Sequence, residues 1–223
     1  MSLVKFLRRI KDIGLSGPFT RWYDKNTRKN RMDEMRGYVN EVAAHLKDSA
    51  TVLEVAPGPG YFSIELAKMG NYNVTGMDIS ADFIKICSVN AQKENVVNTT
   101  FVVGNVSAMP FEEKTFDFIF CSAAFKNFKT PVVALKEMHR VLKENGIALI
   151  VDLRRDISKQ VLEKEVGKMG KSGLERFFIK SQFKNLSKYA YKKDDFLKMI
   201  TQTSFSNYEI KESGIGFYVY LYK

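Results

Sequence analysis

The stretch from Thr51 to Ser63, TVLEVAPGPGYFS, admits few folds. Thr51 to Ala56 is a short apolar, β-rich run with one carboxylate, Glu54, set inside it, which reads as a buried parallel strand. Pro57, Gly58, Pro59 and Gly60 force a tight turn, and Tyr61 to Met69 follows with the apolar content of a helix. A strand that ends in glycines and opens a helix lets ligand atoms approach bare backbone, with the first N–H groups of the helix pointing at them. In open α/β sheets ligands bind at this edge, beyond the carboxyl ends of the strands.

The pattern then repeats. Strands are predicted over 73–78, 99–103, 116–121 and 146–152, with helices over 81–94 and 131–143 between them. A helix over 194–202 and strands near 205–211 and 216–222, separated by Gly214 and Gly216, close the chain as a hairpin. Upstream, residues 3–13 read as an amphipathic basic helix ended by Gly14 and Gly17-Pro18, followed by the aromatic segment 19–24 and one helix over 28–46. The expected fold class is α/β, a doubly wound, mostly parallel seven-stranded sheet with a C-terminal antiparallel β-hairpin.

Nicotinamide and flavin domains use a similar turn, but their G-x-G-x-x-G spacing fails here, because Ser63 stands where the third glycine falls. The acid four positions before the first glycine, in Glu54-x-Ala56-x-Gly58-x-Gly60, resembles instead the E/D-x-G-x-G-x-G motif of class I S-adenosylmethionine-dependent methyltransferases. The segments Asn73 to Asp78, Gly104-Asn105-Val106 with Met109-Pro110-Phe111, Phe116 to Cys121, and Glu137 to Lys143 with Gly146 resemble later motifs of that superfamily, in order. The resemblance covers residues 50–152 by motif and implies a Rossmann-like fold binding S-adenosyl-L-methionine, with S-adenosyl-L-homocysteine as product. It implies cofactor contacts from Tyr23, Glu54, Ala56, Pro57, Gly58, Gly60, Asp78, Ile79, Asn105, Val106 and Cys121, with the Asp78 carboxylate taking both ribose hydroxyls. Asn105, where relatives usually have Asp, keeps a carbonyl able to accept from the adenine amine. Ala56, where the motif has glycine, is tolerable in a strand but not at a turn with positive φ.

The implied layout is one domain: an N-terminal helical lid (1–48), a cofactor core (49–153), a helical cap inserted after the fifth strand (154–193), and a final helix with the hairpin (194–223). Charge follows it. The net charge is +10, yet residues 41–152 hold 10 basic and 13 acidic side chains, while 1–40 hold 10 and 4 and 153–200 hold 13 and 6. Basic flanks over the ligand edge suit an anionic substrate, or else merely keep exposed helices soluble. No apolar run reaches the roughly 18 residues of a membrane span, Lys5, Arg8, Arg9 and Lys11 interrupt any secretory core, and two cysteines form no metal or disulfide framework. A cytoplasmic protein with no metal and no integral membrane association is expected; the oligomeric state is not legible.

The loop after the fourth strand lacks the N/D-P-P-Y motif used on exocyclic amines; Phe125 and Phe128 are expected to wall the pocket, with Phe125, Lys126 and Asn127 as candidates for touching substrate. Arg154 and Arg155, within Asp152-Leu-Arg-Arg-Asp156, suit carboxylate or phosphate, or close salt bridges with the flanking acids. Tyr23, Asp24 and Asp152 are the candidates for a general base, needed only for a protonated, weakly acidic nucleophile. The reading is methyl transfer by in-line displacement to a small molecule, anionic or aromatic. The alternatives are an RNA or other nucleic-acid methyltransferase, for which the lysine and aromatic cap argues, and a cofactor-binding protein without turnover, for which Ala56 and Asn105 argue.

Overall fold

The computed structural model describes residue 12 and residues 14–223 except 171. The amphipathic helix expected over 3–13 thus lies, apart from Asp12, outside the described residues. Two helices, α1 (Pro18–Asn30) and α2 (Met32–Ala43), precede β1 (Thr51–Val55). The alternation continues with α3 (Tyr61–Met69), β2 (Asn73–Asp78), α4 (Ala81–Lys93), β3 (Thr99–Val103), β4 (Phe116–Ser122), α5 (Pro131–Val141) and β5 (Leu142–Leu153). The cap helices α6 (Lys159–Lys168) and α7 (Gly173–Ser187) follow, then α8 (Lys193–Ile200), β6 (Asn207–Ser213) and β7 (Gly216–Tyr222).

These strands form one seven-stranded sheet in the order β3-β2-β1-β4-β5-β7-β6. All pairings from β3 to β5 are parallel, and β7 runs antiparallel between β5 and β6. The strand order reverses between β1 and β4, so a crevice opens beyond their carboxyl ends. Period-two alternation sorts the central strands. Leu53, Val55, Ile119 and Cys121 join the core under α5 and α8, and Val52, Phe118 and Phe120 join the core under α2 and α3. On that second face Phe62 of α3 stacks on Phe120 at 4.1 Å between ring centroids.

Two boundaries differ from the expectation. The helix over 28–46 is two helices broken at Arg31 (φ −128, ψ 7). Neither glycine nor proline marks the break; the Arg31 side chain is pinned by Glu34 and the Tyr23 hydroxyl, contacts that periodicity does not register. β5 begins at Leu142, pairing with Phe116, before a bulge shifts the register to Phe118 with Ile147. The bulge contains Asn145 at φ 63 and Gly146, where a Cβ would lie 2.8 Å from the Lys143 carbonyl oxygen.

Ala56 is a third departure. It sits at φ 59, the left-handed region, with its N–H donating to the Met77 carbonyl at 2.8 Å. A non-glycine residue there costs about 1–2 kcal/mol, partly offset because glycine would lose more chain entropy on folding. Ala56→Gly is therefore expected to stabilise the fold by about 0.5 kcal/mol, a rise of one or two degrees in Tm, read by thermal unfolding. A lower midpoint would mean that the methyl packing outweighs the strain.

Candidate functional site

The turn after β1 is held from three sides. Gly58 (φ 55) and Gly60 (φ 82) occupy the left-handed region, and the Gly60 N–H donates back to the Pro57 carbonyl. From β2, the Asp78 carboxylate accepts from the Gly58 N–H at 3.2 Å and the Ser80 N–H at 2.9 Å. From α4, the Cys87 thiol donates to the Gly58 carbonyl at 3.0 Å, and a Cβ on Gly60 would lie 2.9 Å from the Cys87 sulfur. Cys87 was legible only as an inward residue of its helix.

Inside the strand, Glu54 accepts from the Ser63 N–H at 3.1 Å and its hydroxyl at 2.5 Å. This couples strand to helix across the turn and explains why Ser63 serves where a third glycine is absent. Burial pushes the Glu54 carboxyl up to about 7, against the two Ser63 hydrogen bonds, and pushes Asp78 up to about 6, against its backbone donors. A carboxyl raised on folding binds more protons folded than unfolded, so its stabilising share is full at low pH and is lost as pH rises from about 4 through the raised value. Glu54→Gln keeps a carbonyl for Ser63 and removes the buried charge. It should raise stability at pH 8 by on the order of 2 kcal/mol, the gain shrinking below pH 7 and gone below about pH 4. Urea unfolding of both proteins across that range checks it; a gain independent of pH would refute the cause.

The N-terminal segment closes over this turn. The Gly17 N–H donates to Asp82, and a Cβ on Gly14 would lie 2.7 Å from Ser80 Cα, so residues 14–17 run across the β2–α4 corner. Asp24 accepts from the Tyr61 hydroxyl (2.7 Å) and the Asn90 amide (3.0 Å), and Asn90 also donates to the Pro59 carbonyl. Arg28 donates to Tyr61 and Asn90. Asp24, expected among the candidate bases, is thus committed to fastening α1 to α3 and α4. Tyr23 lies over the turn: a Cβ on Gly58 would sit 3.5 Å from its ring, and it packs edge-on against Phe83.

Between lid and turn remains a cavity of about 40 Å³, lined by Tyr23, Thr27, Arg31, Met35, Glu54, Ala56, Pro57, Gly58, Pro59, Tyr61 and Ser122. That is space for about one water, against roughly 300 Å³ or more for a small-molecule site. Thr27 is 3% exposed, and its hydroxyl has no hydrogen-bond partner among the described residues. Arg31 beside it is held by Glu34 and the Tyr23 hydroxyl, so the orphaned hydroxyl facing the glycine turn is the group left to meet a polar ligand. Sequence reasoning missed both Thr27 and Arg31, which periodicity assigns only to helix. A wider depression of about 560 Å³ between α4 and β3 has no charged residue in its lining and lies away from the crevice.

Other expected residues are placed differently from the sequence reading. The Asn105 carbonyl accepts from the Ser107 N–H at 2.8 Å, so the amide caps its own loop and keeps one lone pair for a ligand. Ile79 is half-buried, while Val106 and Cys121 are buried in the core beneath the crevice. Phe125 and Phe128 do not wall a pocket. Phe125 is fully buried among Phe128, Tyr191 and Phe196, because the loop turns inward at a 3-10 turn (Phe125–Asn127). Lys126 is buried too, its ammonium 2.8 Å from Asp152, which removes both from free solvent, and Asn127 is exposed. Arg154 pairs with Asp156 and Glu212 and lies over the Phe217 ring, while Arg155 donates to the Ala190 carbonyl and lies 4.0 Å from Asp195. Both arginines are therefore engaged by the protein, though with only one of the partners that the local sequence offers. Among the described residues no group of His, Cys, Asp and Glu could hold a metal ion.

A sheet of this order, with a glycine turn after β1 and an acid at the end of β2, defines the class I S-adenosylmethionine-dependent methyltransferase fold. Residues 53–150, 98 of the 223, match a family described as methyltransferase domain, which together with the fold supports an S-adenosylmethionine-dependent methyltransferase. It is 29% identical over 174 residues to a demethylmenaquinone methyltransferase of Chlorobaculum tepidum, covering 69% of this chain and 70% of the relative. It is 33% identical to one of Porphyromonas gingivalis over 48% of this chain and 45% of that protein. The solved structure of a SAM-dependent methyltransferase from Aquifex aeolicus superposes with a TM-score of 0.65 at 17% identity, covering 100% of this chain and 99% of that one, which shows the shared fold.

Proposed function

We propose that the protein methylates a small aromatic acceptor of the quinol type. The observation that carries the cofactor half of this reading is the Asp78 carboxylate hydrogen-bonded to the Gly58 N–H of the glycine turn, with the orphaned Thr27 hydroxyl lining the cavity beside that turn. Asp78 holds the ribose hydroxyls, the Thr27 hydroxyl meets the methionine end, and Tyr23 covers the cofactor's open side. Glu54 sets strand against helix so that these groups keep their spacing. When bound, S-adenosylmethionine supplies a methyl group already activated on a sulfonium, so transfer is an in-line displacement. The protein's share is alignment and exclusion of water, worth on the order of 7–11 kcal/mol in favourable cases.

The acceptor half is supported by the names of the relatives and by the state of the candidate bases. Asp24 and Asp152 are both held by other side chains. A site without a free carboxylate base suits an acceptor that is already nucleophilic, such as an electron-rich ring carbon or an ionised phenolic oxygen. An anionic acceptor held by Arg154 has less support, since its guanidinium pairs with Asp156 and Glu212, while Arg155 donates through one nitrogen to the Ala190 carbonyl, with Asp195 at 4.0 Å. The test is incubation with S-adenosylmethionine and, separately, a reduced demethylated quinone, a catechol and an RNA pool, reading S-adenosylhomocysteine release and product mass. Turnover with the quinol and none with RNA is expected. Cofactor binding with transfer only to RNA, or to none of the three, would overturn the quinol reading.

A further inference from the structure

The cap helix α7 buries almost nothing. Of its fifteen residues only Ser187 is buried, whereas Leu174, Phe177 and Phe178 are 77%, 66% and 62% exposed. Their spacing of three and four puts all three on one outward face, and Phe177 and Phe178 meet edge to face. Ile179 and Phe183, half-buried, form the opposite side. Three large exposed apolar residues on one helical face are uncommon on a protein surface that meets only water.

The charge around this face is mainly positive. Residues 159–188 hold eight basic and three acidic side chains. Glu163 is taken by Arg176 and Lys180, and Glu165 by Lys168. Lys184 and Lys188, the next two turns along, are exposed, and neither has an acidic partner among the described residues. An exposed apolar ridge beside unneutralised lysines is the pattern of a helix lying in a membrane interface, its rings among the acyl chains and its ammonium groups on anionic headgroups. The cap stands at the ligand edge of the sheet. It leaves and rejoins the core where Arg154 bridges to Tyr191 beside the end of β5, and α6 packs against the Gly214 turn between β6 and β7.

We propose that α7 docks the protein on anionic lipid surfaces, inserting Leu174, Phe177 and Phe178 and seating Lys184 and Lys188 on the headgroups. This rests on the helix itself and stands whichever acceptor is methylated. No described helix is long and apolar enough to cross a membrane, so the attachment is peripheral. Single-stranded nucleic acid also favours lysines beside aromatics, but a cluster of three apolar groups including an aliphatic leucine serves an acyl layer better than a row of bases.

The test is flotation of the whole protein with vesicles of phosphatidylcholine, with and without phosphatidylglycerol. Binding is expected to the anionic vesicles, at least about fivefold above the neutral ones, and to weaken with salt. Phe177→Ser with Phe178→Ser should weaken it about tenfold or more while leaving the unfolding midpoint unchanged, since both rings are exposed. Lys184→Gln with Lys188→Gln should weaken binding to anionic vesicles only. The proposal is overturned if neither vesicle binds, or if the double serine variant floats as well as the parent. It is also overturned if the serine variant abolishes a dimer seen by light scattering in a protein that does not float, or if RNA binds through these residues while vesicles do not. Methyl transfer is not the readout, so a failed acceptor reading leaves this test intact.

Discussion

Replacing Lys126 by Met is expected to destabilise the protein by about 3–5 kcal/mol, the cost of stranding a buried charge. The Lys126 and Asp152 side chains are 8% and 2% exposed, and their charged atoms lie 2.8 Å apart. The Lys126 ammonium also donates to the Ala123 carbonyl at 2.5 Å, and its backbone N–H donates to the second Asp152 oxygen at 2.9 Å. Removing the ammonium leaves that carboxylate with the Lys126 and Leu153 backbone donors alone, which puts the expected cost toward the lower end of the range. The midpoint should fall by about 10 °C, and urea unfolding should show the same loss with an unchanged slope. Pairing Lys126→Met with Asp152→Leu should recover much of it, because a buried ion pair often contributes little beyond its apolar replacement. A loss under about 1 kcal/mol in the single variant would mean that the pair is hydrated, and would return Lys126 and Asp152 to the list of groups free to meet substrate.

Asp78→Ala is expected to lower S-adenosylmethionine affinity at least about a hundredfold. Two hydroxyls donating to one carboxylate amount to roughly 3–6 kcal/mol, at 1.5–3 for each hydrogen bond to a charged group. The same substitution frees the Gly58 N–H, so the turn loses its tie to β2. Asp78→Asn separates the two effects, keeping a carbonyl for the turn and losing the charge, and should lie between parent and Ala. Affinity should also depend on pH. Burial holds the free Asp78 carboxyl at about 6, and the ribose hydroxyls favour its ionised form. Binding should therefore be level above that pH and fall about tenfold per unit below it until the complex itself protonates. Calorimetric titration with S-adenosylmethionine and S-adenosylhomocysteine, beside NAD, reads all of this. Equal affinity in parent and Ala variant would remove Asp78 from the site.

How much of this was legible beforehand can be followed residue by residue. Gly58 and Gly60 were readable because a tight turn demands positive φ, whereas Glu54 and Asp78 were readable through the resemblance of their segments to the superfamily's motifs. The strand and helix alternation was readable because burial on two faces of a parallel sheet writes itself into short apolar runs. Thr27, Arg31 and Cys87 were not, because spacing within a helix says only that they are helical, and what each faces is set by the packing of other elements.

Phe125 and Lys126 show the other limit. Both residue types suited a substrate loop, and only the inward turn at Phe125–Asn127 decided that one joins the core and the other neutralises Asp152. Arg154 and Arg155 were recognised as sitting at the ligand edge, yet their partners Glu212 and Ala190 are tens of residues away in sequence. By itself the sequence determined the order of strands and helices along the chain and the glycine turn, because these follow from backbone sterics and from the period of hydrophobic burial; the acid that faces the turn was legible only through the resemblance. The tertiary structure alone decided which charges are spent on each other and which remain for a ligand, because ion pairs and buried hydroxyls find partners through space and leave no period in the chain.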